Sequence, residues 1–452
     1  MSDKYPSQYD RMTKQPVPTL LLQLSIPTII SMMVTNIYNM ADTAFVGQLG
    51  TSASGAVGVV FGFMSILQAI GFMFGQGSGS NISRMLGAKK TDEATKFACT
   101  GIFWSFAFGV IIALCCFFML DSLCFYLGST ETIAPYAKIY ISYILLAAPA
   151  MTASFTMNNI LRYEGRANLG MIGMLTGAVL NIALDPFFMF TLNTGIAGAG
   201  LATCISQYIS FGILISMFFR NKTQSKLLIS REHSNPSLIF EICAMGFPSL
   251  LRQGLNSVST IFLNSEAGVY GDSAVAAMSV TTRIVFFVFS IAIGVGQGFQ
   301  PIGGFNYGAK NYKRLKKAFW TTMLVSEIAM LIVLALVYFN SGDLIRIFRD
   351  DDEVVSIGLR ALRLQLLTIV FIPPCMCTEM LFQCSGKKLG AIILSCMRSG
   401  ILFIPTLITL SDLRGLSGIQ EAQPLAYVLS IIPAAIMGYY YFKKLPKDDE
   451  CS

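Results

Sequence analysis

Two aspartates inside apolar stretches of the chain have the chemistry and the spacing of an ion site. Asp42 follows Tyr38 by four residues, and Asp185 follows Asn181 by the same interval. A spacing of four residues places both members of a pair on one face of a helix. Because an ionisable group inside an apolar membrane helix is costly, each aspartate needs a partner or a function. We therefore treat the two pairs as a candidate coupling-cation site.

Carboxylates beside a phenol and an amide can bind two kinds of cation. Burial disfavours the charged carboxylate, so that a proton is readily retained. Carboxylate and carbonyl oxygens also suit Na⁺, a hard cation, which would lie at Asp42, Asp185 and Asn181. In a purely structural alternative, each aspartate only caps a helix end or bonds to a neighbouring helix. Thr43 and Gly47 mark such a helix end close to Asp42.

Other charged and polar residues fall inside or beside apolar stretches, mostly in the second half of the chain. The cations are Arg252 and Arg283, and the anions that they could reach are Glu379 and Glu266. These residues could pair and so join helices, or they could line a cavity, and the sequence favours neither interpretation. Asn158 is a further polar candidate for the cavity or for a contact between helices.

Cysteine and histidine offer little to a metal, redox or catalytic site. Most of the 11 cysteines lie in apolar stretches, where free thiols behave as small hydrophobes. Cys375 and Cys377 lack the spacing of a zinc or redox pair, and the single histidine, His233, lies in a polar loop. Without a recognisable nucleophile and base, the sequence predicts no enzyme and no cofactor. A channel is disfavoured because no repeated filter motif occurs.

The composition requires most of the chain to be in a membrane. Its 452 residues are 54% hydrophobic and only 13% charged, against about a quarter charged in soluble proteins. Twelve apolar stretches are long enough to cross a bilayer as helices, which takes about 20 residues each. The first eighteen residues are polar and lack the pattern of a cleavable signal, so the first stretch is expected to remain as a helix.

The two halves of the chain repeat one pattern, offset by 221 residues and without a gap. The matched positions are Pro27 with Pro248, Gly47 and Gly50 with Gly268 and Gly271, Gly75-Gln76-Gly77 with Gly296-Gln297-Gly298, and Gly87-Ala88-Lys89 with Gly308-Ala309-Lys310. Six spans separate the copies, which gives both the same membrane orientation. The sequence therefore predicts an all-α integral membrane protein of twelve helices, in two six-helix lobes related by a pseudo-two-fold axis along the membrane normal.

This repeat and the polar connections predict five segments. They are a cytoplasmic N-terminal segment (1–18), an N-lobe (19–220), a cytoplasmic linker (221–236), a C-lobe (237–442) and a cytoplasmic tail (443–452). Lysine and arginine outside the spans fall mainly in alternate connections, which places both termini in the cytoplasm. The net charge of +7 is dispersed over short loops, so a nucleic-acid partner is not expected.

The symmetry of the repeat breaks at the candidate ion site. At the matching offset, Asp42 becomes Leu263, and the stretch from Asn181 to Asp185 faces Ile401 to Pro405. The second half has therefore kept the pattern of the fold without these carboxylates. Ionic coupling is predicted in the first half only.

Three segments resemble the MATE (multidrug and toxic compound extrusion) transporters. Pro27 to Gly50 resembles the first helix of that family, and Ile160 to Arg166 and Leu180 to Pro186 resemble its fourth-to-fifth helix region. The similarity covers almost the whole chain and is greatest to the bacterial DinF-type branch. It implies two six-helix lobes that form a V around a central cavity. The cation pocket of that branch corresponds here to Tyr38, Asp42, Asn181, Asp185 and Thr203, with Thr203 as a further Na⁺ ligand.

The resemblance also implies a function and its rival. It implies an antiporter of the bacterial plasma membrane, expected as a monomer, that exchanges inward H⁺ or Na⁺ for outward cationic or amphipathic molecules. A branch with acidic residues in the second lobe is matched poorly, since residues 255–257 are not acidic and Glu379 is out of register. The alternative is a flippase for lipid-linked oligosaccharides, which would need Arg252, Arg283 and Arg398 to line a basic cavity.

Overall fold

The computed structural model describes residues 7–220, 222–228 and 236–446, and those residues form helices without any strand. The first half contains α1 (Gln8–Lys14), α2 (Val17–Gly47), α3 (Thr51–Gly87), α4 (Thr91–Phe118), α5 (Leu120–Tyr126), α6 (Ala134–Tyr163), α7 (Ala167–Pro186) and α8 (Ile196–Phe219). The second half contains α9 (Pro236–Gly268), α10 (Asp272–Gly308), α11 (Tyr312–Phe339), α12 (Ser341–Phe348), α13 (Asp352–Thr368), α14 (Ile372–Cys384), α15 (Lys388–Cys396), α16 (Phe403–Arg414) and α17 (Leu416–Lys443).

Within the described ranges, 10 helical segments are long and apolar enough to cross a membrane. One of them joins α13 and α14 through the short 3₁₀ turn Ile369–Phe371. Two further predicted crossings are helical but less regular. Helix α9 is long, at 33 residues, but carries several charges, and α15 and α16 are separated by the π-helical turn Met397–Ile401. The predicted all-α membrane fold is confirmed.

The duplication is visible in the backbone as well as in the sequence. Helices α3 and α10 both have 37 residues, and α4 and α11 both have 28. Residues with positive φ recur at equivalent places: Gly50 (119°) and Gly271 (95°), Lys89 (61°) and Lys310 (58°), Gly165 and Gly386 (both 79°), and Gly195 (58°) and Gly415 (61°). The repeated glycines therefore mark repeated turns, as the sequence predicts.

Packing divides the chain within two of its helices. One compact unit runs from Ile30 to Leu250, and the other combines the described residues up to Ile29 with those from Leu251 onward. The predicted lobes follow the duplication, whereas the packing units divide α2 and α9. Pro27 and Pro248 lie inside these helices, shortly before each division, where proline removes a backbone hydrogen bond.

In the unit from Ile30 to Leu250, the start of α9 packs against α3 at backbone distance. A methyl group added to Gly77 would lie 2.0 Å from the carbonyl oxygen of Ile242. One added to Gly246 would lie 1.8 Å from the carbonyl oxygen of Met73. Small residues at such crossings allow membrane helices to approach closely. The Gly75-Gln76-Gly77 triplet thus belongs to a tight helix crossing.

The other unit repeats this crossing between the start of α2 and α10. A methyl group on Gly298 would lie 2.2 Å from Ser25 Oγ, and one on Gly294 would lie 2.3 Å from Ile29. The Ser25 hydroxyl also donates to the carbonyl oxygen of Val295 at 3.4 Å. The duplicated glycine pattern is therefore explained by two equivalent crossings, one in each packing unit.

The connection between α6 and α7 holds the segment that follows α8. Both oxygens of the buried Glu164 carboxylate accept backbone N–H groups, from Gln224 and Ser225, at 2.9 Å each. Arg166 donates to the carbonyl oxygen of Lys222. Burial raises the pKa of Glu164, and the bonds from Ser225 and Gln224 partly offset that shift. Asn221, residues 229–235 with His233, and residues 447–452 lie outside the described ranges.

We expect the Glu164→Ala variant to free this segment for proteolysis. Two buried N–H groups would lose their acceptor, at a cost of about 1–3 kcal/mol. Opening by about 2 kcal/mol would accelerate cleavage by trypsin at Lys222 and Lys226 roughly 30-fold, measured on purified protein. The matched control is Glu93→Ala, since Glu93 forms only an exposed pair with Lys90 at 3.4 Å. Equal cleavage of both variants would contradict the role given to Glu164.

Candidate functional site

Helix α6 brings a tyrosine to the predicted ion site. This helix packs against α3, α4, α5, α7 and α8, and most of its apolar length is buried. Tyr140, near its first turns, is fully buried. Its hydroxyl donates to Oδ2 of Asp42 at 2.9 Å. The other carboxylate oxygen of Asp42 is buried and has no hydrogen-bond partner among the described residues.

Asp185 and its neighbours form the second part of the site, where α7 meets α8. Asp185 is fully buried, and Asn181 Nδ2 donates to its Oδ1 at 3.2 Å. The same amide nitrogen lies 3.2 Å from Thr203 Oγ1, on α8. Asp185 Oδ2 and Asn181 Oδ1 are buried without a partner in the described part of the chain. Each carboxylate thus keeps one free oxygen, and so does the amide.

The two parts form one cluster. The Tyr140 hydroxyl that binds Asp42 also bonds to Thr203. Asp42 and Asp185 interact electrostatically, and both act on the buried hydroxyl of Tyr38. The structure therefore brings together all five residues predicted for the cation pocket, on helices α2, α7 and α8.

A π-helical turn follows Asp185 directly. Pro186 contributes no backbone N–H, and the turn Phe187–Thr191 is closed by the Leu192 N–H, which donates to Phe187 O at 3.0 Å. The N-terminal end of α8 fits this turn closely, since a methyl group on Gly198 would lie 2.8 Å from Met189 N. π-helical turns inside helices are frequent at functional sites.

The polar residues predicted in the second half have other surroundings. Arg252 and Glu379 form a buried ion pair at 3.0 Å, and Ser395 donates to the same carboxylate oxygen at 2.8 Å. Arg283 is exposed on α10. Asn158 is half-buried at the α6–α7 contact, where its side chain faces Gly170. None of these four residues belongs to the cation cluster.

An open cavity adjoins the cluster at Tyr38. It lies among α2, α3 and α6 and has a mixed lining of aromatic, thioether, amide and hydroxyl groups. The lining residues are Tyr38, Asn39, Phe61, Met64, Ser65, Gln68 and Met151. A flexible thioether and an aromatic face adapt to varied apolar and cationic molecules. A small molecule in this cavity would lie next to the helix turn that carries Asp42.

The donor set of the cluster suits a proton or a hard cation. Three buried acceptor oxygens have no partner in the described residues, namely Asp42 Oδ1, Asn181 Oδ1 and Asp185 Oδ2. Hydroxyl oxygens of tyrosine and threonine complete an all-oxygen set, which suits Na⁺ better than a soft metal. Over the described ranges, no group of three or more histidine, cysteine or acidic residues could hold a metal.

A duplicated bundle of membrane helices with buried carboxylates in one half is the architecture of a secondary transporter. The comparison with protein families agrees. The MatE family profile matches the chain twice, over residues 27–187 and again over 248–408, so the chain belongs to the MatE family. The two matched ranges are themselves offset by 221 residues, as in the repeat.

Curated relatives and solved structures extend the similarity over the full length. The multidrug export protein MepA of Staphylococcus saprophyticus is 26% identical over 429 residues, which is 95% of each chain. MepA of Staphylococcus aureus strain MSSA476 is 26% identical over 436 residues, or 96% of each chain. The predicted MATE resemblance is thereby confirmed, and the DinF-type branch stays a prediction.

The solved structures are those of related transporters. A MOP superfamily transporter from Pyrococcus furiosus has a TM-score of 0.92 at 26% identity, with 98% of this chain and 99% of that chain covered. An outward-facing multidrug resistance MATE family transporter of the MOP superfamily also has a TM-score of 0.92, with 26% identity and coverage of 97% and 99%. At this identity and coverage, the fold is shared throughout.

Proposed function

We propose that this protein is a secondary active multidrug exporter, which exchanges inward H⁺ or Na⁺ for outward cationic or amphipathic small molecules. The observation that carries the proposal is the buried cluster of Asp42 and Asp185, with three acceptor oxygens free to bind a cation. The MatE family match and the similarity to multidrug export proteins support the same function. The protein acts as a monomer in a bacterial plasma membrane, with both termini in the cytoplasm.

Coupling follows from what the ion does to the cluster. Without a cation, two buried negative charges oppose each other, and several acceptor oxygens compete for few donors. A proton on Asp42 would add one donor and remove one charge, whereas Na⁺ would draw oxygens of Asp42, Asp185, Asn181 and Thr203 inward. Either change alters how α2 and α7 pack. An ion that binds one conformation more tightly shifts the population towards it.

Substrate and ion bind in alternation because their sites share a helix. Tyr38 lines the open cavity and interacts electrostatically with both aspartates. A cationic molecule beside this turn of α2 is attracted by the negative cluster and repelled once a cation has entered it. The substrate therefore binds the ion-free state best, and the ion favours the substrate-free state. Such reciprocal binding is what antiport requires.

A flippase for lipid-linked oligosaccharides is not favoured. That alternative needs three arginines free to hold pyrophosphate. Arg252 is instead neutralised by Glu379 at 3.0 Å, and Arg283 lies exposed on α10. Only Arg398 is left without an acidic partner among the described residues.

Transport by purified protein in liposomes tests the proposal and separates the two coupling ions. We expect one of two gradients, H⁺ or Na⁺, imposed separately, to drive ethidium against its own concentration gradient. An ionophore that collapses the active gradient should stop accumulation, and liposomes without protein serve as the control. Ethidium movement that neither gradient drives would refute antiport.

A further inference from the structure

The unit that contains most of the second half holds more buried cations than anions in one cluster. Arg252, Glu379 and Arg398 are only 6%, 2% and 5% exposed. The single carboxylate is already engaged, since Glu379 Oε1 accepts from Arg252 at 3.0 Å and from Ser395 at 2.8 Å. The cluster therefore carries one positive charge that no neighbouring acid balances.

Arg398 is the residue that carries this excess charge. Its guanidinium lies 5.0 Å from the ring centroid of Phe289. Among the described residues, no carboxylate is within ion-pair distance and no hydrogen-bond acceptor contacts this guanidinium. Its charge also acts on the hydroxyl of Tyr427, on α17. A buried guanidinium thus has aromatic neighbours but an unused set of donors.

The local backbone at Arg398 also distinguishes the two halves. Arg398 lies in the π-helical turn Met397–Ile401, which interrupts the helix between α15 and α16. Its counterpart 221 residues earlier is Gly177. That glycine is in a regular part of α7, close to Ser210 of α8, where a methyl group would lie 2.9 Å from Ser210 Cβ. The second half thus has a long cation and a widened turn where the first half has a close helix contact.

A buried arginine without a counter-ion is costly, and a cation–π contact offsets only part of that cost. The planar guanidinium presents a fork of N–H groups that matches the two oxygens of a carboxylate. Phe289 and Tyr427 offer aromatic surface on either side of that fork. The missing partner therefore has the chemistry of an organic carboxylate that carries an apolar or aromatic body.

We propose that Arg398 binds the carboxylate of amphipathic substrates, so that the protein accepts zwitterionic molecules as well as cations. This inference rests on the proposed exporter function and adds a recognition site in the second half. Arg252 stays paired with Glu379, which leaves Arg398 free for the ligand. The first half then supplies ion coupling, and the second half supplies recognition of an anionic group.

Two dyes that differ by one methyl ester test the site. Rhodamine 110 has a free carboxylate, and rhodamine 123 is its methyl ester. We expect the Arg398→Gln variant to weaken binding of rhodamine 110 by roughly tenfold or more, and to leave binding of rhodamine 123 unchanged. Fluorescence polarisation on purified protein measures both dissociation constants. Unchanged binding of the ester also shows that the variant is folded.

Matched variants and a second anion define the other outcomes. Arg283→Gln, at an exposed arginine, should change neither constant, and Arg398→Lys should recover binding of rhodamine 110 only in part. Equal loss of both dyes, or no loss of either, would overturn the proposal. So would chloride that protects the wild type but not Arg398→Gln against thermal unfolding while rhodamine 110 binds both equally, since the ligand would then be an inorganic anion. Failure of the wild type to bind either dye would instead count against the exporter function.

Discussion

Asp42→Asn should abolish ion-driven efflux and leave the protein folded. Asparagine has the shape of aspartate and can still accept the hydrogen bond that Tyr140 donates at 2.9 Å. It cannot take up a proton in this range of pH and offers Na⁺ no charge. A coupling free energy of about 3 kcal/mol corresponds to roughly 100-fold, so we expect ethidium accumulation to fall by at least that factor. Accumulation is measured in liposomes with the driving gradient imposed, and folding by thermal unfolding.

The control for this variant is Asp121→Asn. Asp121 is an exposed aspartate on α5 that pairs with Lys138 at 2.6 Å, so its loss should not change efflux. Asp185→Asn should reproduce the defect, and the double variant should be no worse than either single one, because residues of one site are not additive. Full accumulation by Asp42→Asn would show that the ion site lies elsewhere.

Much of the cation cluster could be predicted because burial of charge leaves a signal in one dimension. Asp42 and Asp185 stand out as acids in apolar stretches, and Tyr38 and Asn181 follow from the four-residue spacing on a helix. Thr203 was implied only by the family resemblance. A threonine in an apolar helix is common, and no local spacing connects it with the acids.

Tyr140 was missed for a physical reason. It lies 98 residues from Asp42 in the chain, and only the packing of α6 against its neighbours brings the two side chains together. A tyrosine near the end of a membrane helix is ordinarily attributed to the bilayer interface. The available signal was its place in the outer part of a predicted span, close to the level of Asp42.

The division of the packing units was also beyond the sequence. The repeat shows where the chain was duplicated, and the predicted lobes follow that duplication. Which bundle the start of a helix packs against depends on glycine contacts such as those of Gly77 and Gly246, whose partners are backbone atoms distant in the chain. The glycine pattern indicated close crossings without identifying the helices that cross.

Charge is distributed unequally between two halves that share one fold. The first half concentrates unpartnered acceptor oxygens at Asp42 and Asp185, and the second half has a guanidinium without an acid at Arg398. A symmetric scaffold requires only the glycines and prolines that both halves keep. The charged residues differ because each half contacts a different component of the exchange, an ion in one and an anionic group of the substrate in the other.

The Gly246→Ala variant should be severely destabilised, because no side chain can move out of the way. The new methyl group would lie 1.8 Å from the carbonyl oxygen of Met73 and 2.6 Å from its carbonyl carbon, both backbone atoms of α3. The start of α9 would have to leave α3, and the bond from Ser249 to Gln76 Oε1 at 2.8 Å would break. Overpacking costs about 1–3 kcal/mol where side chains can adjust, and we expect at least about 3 kcal/mol here.

Gly254→Ala is the matched control, because Gly254 lies in the same helix with no atom within 4 Å of the added methyl group. Alanine is the better helix former by about 1 kcal/mol, so this control should be neutral or slightly stabilising. The thermal midpoint of purified protein in detergent distinguishes the two variants. If Gly246→Ala unfolded at the wild-type temperature, the backbone contact between α9 and α3 would not hold this unit together. A lower midpoint for Gly246→Ala alone would show that the repeated glycine is kept for a helix crossing, since loss of helix propensity cannot explain a change to alanine.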